Sequence, residues 1–205
     1  MSDPLVFIVD DEASVRRAVA RLLDSAGYRA ESFAAPEEFL ARLPHDGPSC
    51  LILDLQMPGM SGLEVQARLH DAGHALPIVF VTGHGDIPTS VHAMRQGALD
   101  FITKPFAAEQ LLSVVGSALE RDRASLANRR ELEELMIRLR ELTPREREVF
   151  VLVVQGLLNK QIAGRLGTSE KTIKAHRGRV MQKMRAGSLA ELVRMSDRVR
   201  QPRGS

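Results

Sequence analysis

Five short strand-like runs, LVFIV at 5–9, AESF at 30–33, CLILD at 50–54, PIVFVT at 77–82 and LDFIT at 99–103, recur through the first 120 residues. Between them the apolar positions change to helical spacing: Val15, Val19, Leu22 and Leu23 share one face, then Leu63, Val65 and Leu69, then Val91 and Met94, and finally Leu111, Leu112, Val115 and Leu119. Pro36 opens a short helix after the second run, because its fixed φ suits a first helical position. Aliphatic strands alternating with amphipathic helices predict a parallel sheet covered on both faces. The fold class expected is an α/β doubly wound five-stranded parallel sheet.

The pattern changes after that sheet. From Leu112 to Leu142 there is no Pro and one Gly, Gly116, while Leu119, Leu126, Leu132, Leu135, Leu139 and Leu142 form a narrow stripe. This predicts a long helical linker, whose stripe either pairs with a copy of itself or packs on the segment that follows. TPRE at 143–146 then carries a helix start: Thr143 as cap, Pro144 at the first position and Glu146 completing a capping box. Gly156 ends that helix, Asn159 begins a short second one, Gly167-Thr168 makes a tight turn, Ser169 caps a third and a fourth runs from about 188 to 199. The second part is expected to be an all-α four-helix domain. The divisions expected are 1–120, a linker at 121–141, 142–200 and a tail at 201–205.

Charge separates the same two parts. Residues 1–120 carry 8 Lys+Arg against 16 Asp+Glu, a net of −8, and the remainder carries 20 against 10, a net of +10, which together give the overall +2. An acidic α/β half suggests a metal or phosphate-exchanging site, and a basic half suggests a polyanion, most simply nucleic acid. The single Cys50 lies in a buried run without metal-ligand or nucleophile spacing, so a structural thiol in a reducing compartment is expected. No stretch approaches the roughly 20 apolar residues that span a bilayer, and the expectation is a cytoplasmic protein with no membrane partner.

In doubly wound sheets, ligands bind beyond the carboxyl ends of the strands. Here those ends carry Asp10 and Asp11, Asp54, Thr82, and Thr103 with Lys104. A lone Asp at a strand end is most often a turn former or a helix cap. Several together repel and raise one another's pKa unless a cation sits among them, which makes oxygen-loving Mg²⁺ the natural cofactor. Glu12 extends the acidic run but reads as part of the first exposed helical turn. A dinucleotide or P-loop site is disfavoured, because VDDEASVR has no glycine.

Asp10-Asp11, Asp54 followed by MPGMSG, Thr82-Gly83 and Lys104-Pro105-Phe106 together resemble the receiver domain of two-component response regulators, over residues 5 to 120. The resemblance implies strand order 2-1-3-4-5 and Asp54 as acceptor of a phosphoryl group from a sensor histidine kinase. It also implies Mg²⁺ held by Asp10, Asp11, Asp54 and the backbone carbonyl of Gln56, with Thr82 and Lys104 binding phosphoryl oxygens. A cis bond between Lys104 and Pro105 would aim the ammonium at the pocket. Thr82 and Phe101 would form the switch, although Phe101 also reads as a simple core aromatic. Gln56 and His84 lie where family members tune hydrolytic water, and Pro58-Gly59 and Gly62 mark a tight loop beside the site.

The segment LTPREREVFVLVVQGLLNKQIAGRLGTSEKTIKAHRGRVMQKM closely resembles the LuxR/FixJ-type helix-turn-helix DNA-binding domain. Helical spacing puts Ile173, Val180 and Met184 on the core face of the third helix and Lys171, Lys174, Ala175 and Gly178 on the other. Lys174 and Ala175 are the best placed to reach base edges, whereas Arg177, Arg179, Lys183 and Lys160 suit phosphate contact. From 169 to 185 six Lys+Arg stand against one Glu, although a merely solvated face would have the same composition. Gly178 departs from the larger polar side chain common in the family.

These features together read as a non-enzymatic transcription regulator that accepts a phosphoryl group on Asp54, loses it slowly, dimerises on phosphorylation and binds promoter DNA. RNA polymerase is a further partner left open. The alternatives are a phosphorylation-independent DNA-binding regulator with a receiver-like dimerisation domain, and a stand-alone phosphohydrolase.

Overall fold

A computed structural model of the 205-residue chain describes residues 3–83 and 87–200, with backbone only at 87–90. In chain order the elements are β1 (Leu5–Val9), α1 (Ala13–Ser25), β2 (Arg29–Phe33), α2 (Pro36–Arg42), β3 (Ser49–Leu53), α3 (Gly62–Asp71), β4 (Ile78–Thr82), α4 (Ile87–Arg95) and β5 (Asp100–Thr103). They continue with α5 (Ala108–Arg140), α6 (Pro144–Val154), α7 (Asn159–Leu166), α8 (Glu170–Met184) and α9 (Leu189–Arg200).

The five strands form one parallel sheet in the order β2-β1-β3-β4-β5. β1, β3 and β4 are buried at every position, and successive side chains feed two cores. Phe7, Val9, Leu51, Leu53 and Phe80 point to one face with Val65 and Leu69, while Val6, Ile8, Cys50, Ile52 and Val79 point to the other with Val19, Leu23, Leu111 and Val115. This two-sided burial is why the strands are continuously apolar. The Cys50 thiol is free and buried, and its burial, together with the nearby Asp122 charge, pushes its pKa up to about 12. It is unsuited to nucleophilic work.

α4 differs from the sequence expectation. Val91 and Met94 are 43% and 44% exposed, and among the described α4 side chains, those of 91–95, it is Ala93 that turns into the core. The register of α4 thus puts its smallest side chain against the sheet and leaves two larger apolar ones outside.

The chain divides into two compact units, Met1–Ala127 and Asn128–Ser205, and the division falls within α5. The reason lies in α5 itself. Beyond Leu119, the buried Asp122 carboxylate still accepts a hydrogen bond of 2.8 Å from the backbone N–H of Ser49, at the start of β3. The leucine stripe is covered near both its ends, by the sheet core at Leu119 and by the second unit's core at Leu139 and Leu142.

The second unit is all-α. Thr143 and Glu146 form the expected capping box, with Pro144 at the first helical position of α6. α7 ends on Gly167 in the left-handed region (φ +61°), and Ser169 caps α8 by accepting from the Thr172 N–H. Ile173, Val180 and Met184 are fully buried against Val149, Ile162 and Leu192, as their spacing predicts. No helix among the described residues is long and apolar enough to cross a membrane.

Candidate functional site: an acidic pocket and a basic helix

The carboxyl edge of the sheet gathers residues from the ends of four strands, β1, β3, β4 and β5. The parallel register pairs Val9 with Leu53, so Asp10 and Asp54 leave the sheet side by side; the Asp54 N–H donates to the Val9 carbonyl at 2.8 Å. Lys104 follows β5, with its N–H on the Thr82 carbonyl at 2.8 Å, and its peptide bond to Pro105 is cis. From there its Nζ reaches Asp10 Oδ2 at 2.8 Å, Asp54 Oδ2 at 3.1 Å and Glu12 Oε1 at 3.6 Å. Thr82 is buried beside them.

Burial pushes the Asp54 carboxyl above its usual pKa, and the charge of Asp10 adds to the rise. The hydrogen bond and charge of Lys104, with the Gln56 N–H, pull the other way without prevailing. For Lys104, burial works to lower the pKa, but hydrogen bonds and charges from Asp10 and Asp54 outweigh it and hold the ammonium charged.

Among the described residues, the acids whose oxygens lie within 4.8 Å of one another are Asp10, Glu12 and Asp54. Glu12 lies exposed at the start of α1, as the sequence predicts, yet its carboxylate also reaches this cluster. It precedes α1 in extended conformation, and its N–H donates to Asp10 Oδ1 at 2.8 Å, which folds the segment back over the pocket. Asp11 is exposed, and its carbonyl, like that of Asp10, accepts from Arg16 Nη1, at 2.9 and 2.6 Å. Gln56 is exposed with its N–H 3.3 Å from Asp54 Oδ1. His84 lies outside the described residues.

Two neighbours shape the pocket. A Cβ on Gly62 would collide with the Asp54 carbonyl oxygen and stand 3.0 Å from the Phe80 ring, so only glycine fits where α3 begins. The half-buried Phe101 ring packs on Phe80 with centroids 6.4 Å apart, one strand from Thr82. A hard dication suits the oxygen donors of this pocket, because the buried Asp10 and Asp54 carboxylates face one another with one ammonium between them.

The second unit presents the exposed side of α8. Lys171, Lys174, Ala175, Gly178 and Arg179 are exposed, as is Lys160 on α7, whereas Arg177 is half-buried and donates to Asn159 Oδ1 at 3.2 Å. Lys183 is differently placed. Its Nζ lies 2.6 Å from Glu146 Oε2 and 3.0 Å from the Glu141 carbonyl, tying α8 to the start of α6. The Lys183 hydrogen bond and then the Thr143 N–H hold the Glu146 pKa down at about 2.

A doubly wound sheet with an aspartate–lysine pocket at its carboxyl edge, followed by a basic helix-turn-helix, defines a two-domain regulator with a receiver and a nucleic-acid-binding output. Residues 6–116 match the family model described as response regulator receiver domain, and residues 140–196 match that of the bacterial regulatory proteins, luxR family. The chain is 46% identical over 94% of its length, and 85% of the relative's, to nodulation protein W of Bradyrhizobium diazoefficiens. It is 42% identical over 96% of both chains to the transcriptional regulatory protein FixJ of Rhizobium meliloti. The solved structure of the response regulator StyR superimposes with a TM-score of 0.87 at 43% identity, over 96% of this chain and 99% of that one. The protein belongs to the two-component response regulators that join a receiver domain to a LuxR-type DNA-binding domain, and it regulates transcription.

Proposed function

We propose that Asp54 accepts a phosphoryl group from the phosphohistidine of a sensor kinase, and that this controls dimerisation and sequence-specific binding to promoter DNA. The observation that carries the reading is the convergence of Asp10, Asp54 and Lys104 on one nitrogen-centred cluster at the sheet edge. An Asp54 carboxylate oxygen forms the new bond to phosphorus as the phosphorus–nitrogen bond to the kinase histidine breaks. Lys104 and the Thr82 hydroxyl bind the phosphoryl oxygens, so the ammonium moves from its carboxylate partners toward the transferred group. Asp10, Asp54 and, by family resemblance, Asp11 and the Gln56 carbonyl are the groups that would hold Mg²⁺, with Glu12 within reach; when bound, the ion supplies charge neutralisation for the carboxylates and the phosphoryl oxygens. Slow loss of the phosphoryl group by hydrolysis is the only turnover expected.

Thr82 and Phe101 act as the switch that reports this event to α4 and β5. The exposed Val91 and Met94 on α4 supply apolar surface for a second receiver domain. Two output domains then meet two half-sites, with Lys174 and Ala175 toward base edges and Lys171, Gly178, Arg177, Arg179 and Lys160 along the backbone. Acetyl phosphate with Mg²⁺ tests the reading by intact mass. The chain should gain one phosphoryl group, lose it slowly, elute as a dimer and bind DNA more tightly; Asp54→Asn should do none of these. Uptake of phosphate by that variant, or equal DNA binding without phosphate, overturns it in favour of the phosphorylation-independent regulator.

A further inference from the structure

Three helices of the output domain end in a left-handed residue, and the chain treats the third differently. α6 is followed by Gly156 at φ +85° and α7 by Gly167 at φ +61°, the residue type that adopts this backbone without a Cβ clash. α8 ends on Arg185 at φ +54°, the one non-glycine residue with positive φ among those described. The turn around it is a full Schellman motif, in which Arg185 N donates to the Gln182 carbonyl at 3.1 Å and Ala186 N to the Met181 carbonyl at 3.0 Å. Glycine is therefore the residue this turn favours.

No hydrogen-bond or ion-pair partner of its side chain among the described residues offsets the strained backbone at Arg185. That side chain is exposed. Lys183 is committed internally, to Glu146 and the Glu141 carbonyl, and Arg177 donates one hydrogen bond to Asn159. Arg185 instead stands exposed just beyond the exposed α8 positions Lys171, Lys174, Gly178 and Gln182, at the carboxyl end of the helix. A non-glycine residue held at a glycine position points to a use outside the fold.

We infer that Arg185 is a DNA-backbone contact at the carboxyl end of the recognition helix, its guanidinium taking a phosphate that Lys183, turned inward, does not reach. The inference rests on the proposal that α8 is the DNA-reading helix. A favourable interaction with the α8 dipole is the competing account, and it concerns the folded protein alone.

The test uses the full chain, treated with acetyl phosphate and Mg²⁺, on a mixed-sequence DNA duplex across a range of salt concentrations. Arg185→Gly should unfold at the same temperature or higher, because the strain is relieved. It should bind several-fold more weakly, and its slope of log affinity against log salt should fall by about 0.9 per bound protomer, the value of one lost phosphate contact. Arg185→Lys keeps the charge and should keep the slope. A glycine variant with the affinity and slope of the unsubstituted protein overturns the inference and leaves the dipole account. If the unsubstituted protein fails to bind the duplex at all, the DNA-binding reading of α8 falls, and this inference with it.

Discussion

Lys104 Nζ lies 3.1 Å from Asp54 Oδ2, although the two residues are 50 positions apart and on different strand ends. The same ammonium is 2.8 Å from Asp10, so one lysine bridges two buried carboxylates and offsets part of the charge by which they repel one another. It stands where the proposed Mg²⁺ would also act, so the two would compete for the same oxygens.

Lys104→Met should therefore bind Mg²⁺ more tightly than the unsubstituted protein while being less stable in metal-free buffer. Removing the ammonium leaves Asp10 and Asp54 facing each other; the cost should stay below the roughly 3–5 kcal/mol of breaking a fully buried pair, since the lysine retains some contact with water. Calorimetric Mg²⁺ titration reads the first effect and urea unfolding with EDTA the second. Weaker Mg²⁺ binding by the variant would show that lysine and metal do not compete.

Gly62→Ala should destabilise the receiver domain by about 1–3 kcal/mol, the usual cost of an extra methyl in a filled site. The new Cβ meets backbone at Asp54 rather than a flexible side chain, so the strand end itself must shift. Phosphoryl uptake should slow in proportion to that displacement. Gly59→Ala is the useful contrast, because its difficulty is its φ of +85° with open space around the Cβ.

The Glu146–Lys183 pair predicts an acid limit for the output domain. Glu146 has a folded pKa of about 2 against an ordinary value of 4.5, so its ionised form is favoured by folding. That stabilisation is present above about pH 4.5 and is lost as pH falls toward 2. Glu146→Gln should lower the thermal midpoint at neutral pH and remove part of the decline between these values, as followed by circular dichroism. An unchanged acid decline in the variant would assign it to other carboxylates.

Gly178→Ala should stabilise α8 by about 1 kcal/mol, since glycine in a helix interior costs that much and nothing lies within 4 Å of the added Cβ. DNA binding should weaken or change its sequence preference, because the open position faces the side of α8 proposed to enter the groove. Thermal melts together with binding to a set of single-base operator variants separate the two effects. Higher stability with unchanged selectivity would make the glycine incidental.

Much of this architecture was legible without coordinates. β1 and α2 begin where the apolar run and Pro36 place them, the sheet order follows the resemblance, and Thr143, Glu146 and Ser169 cap as their spacing predicts. These are local properties, written in residue type and period, and short-range physics is enough to read them.

The tertiary structure decided which side chains meet. Glu12 rather than the neighbouring Asp11 joins the oxygen cluster with Asp10 and Asp54, because a backbone hydrogen bond to Asp10 turns that segment inward. Val91 and Met94 face outward although their spacing is that of a core face, because Ala93 occupies the sheet side of α4. Lys183 belongs by composition to a basic DNA-facing helix, yet Glu146, 37 residues away, draws it into the domain. In each case the sequence by itself determined the element and its period. The direction of the side chain came from partners distant in the chain, whose positions exist only once strands and helices have packed.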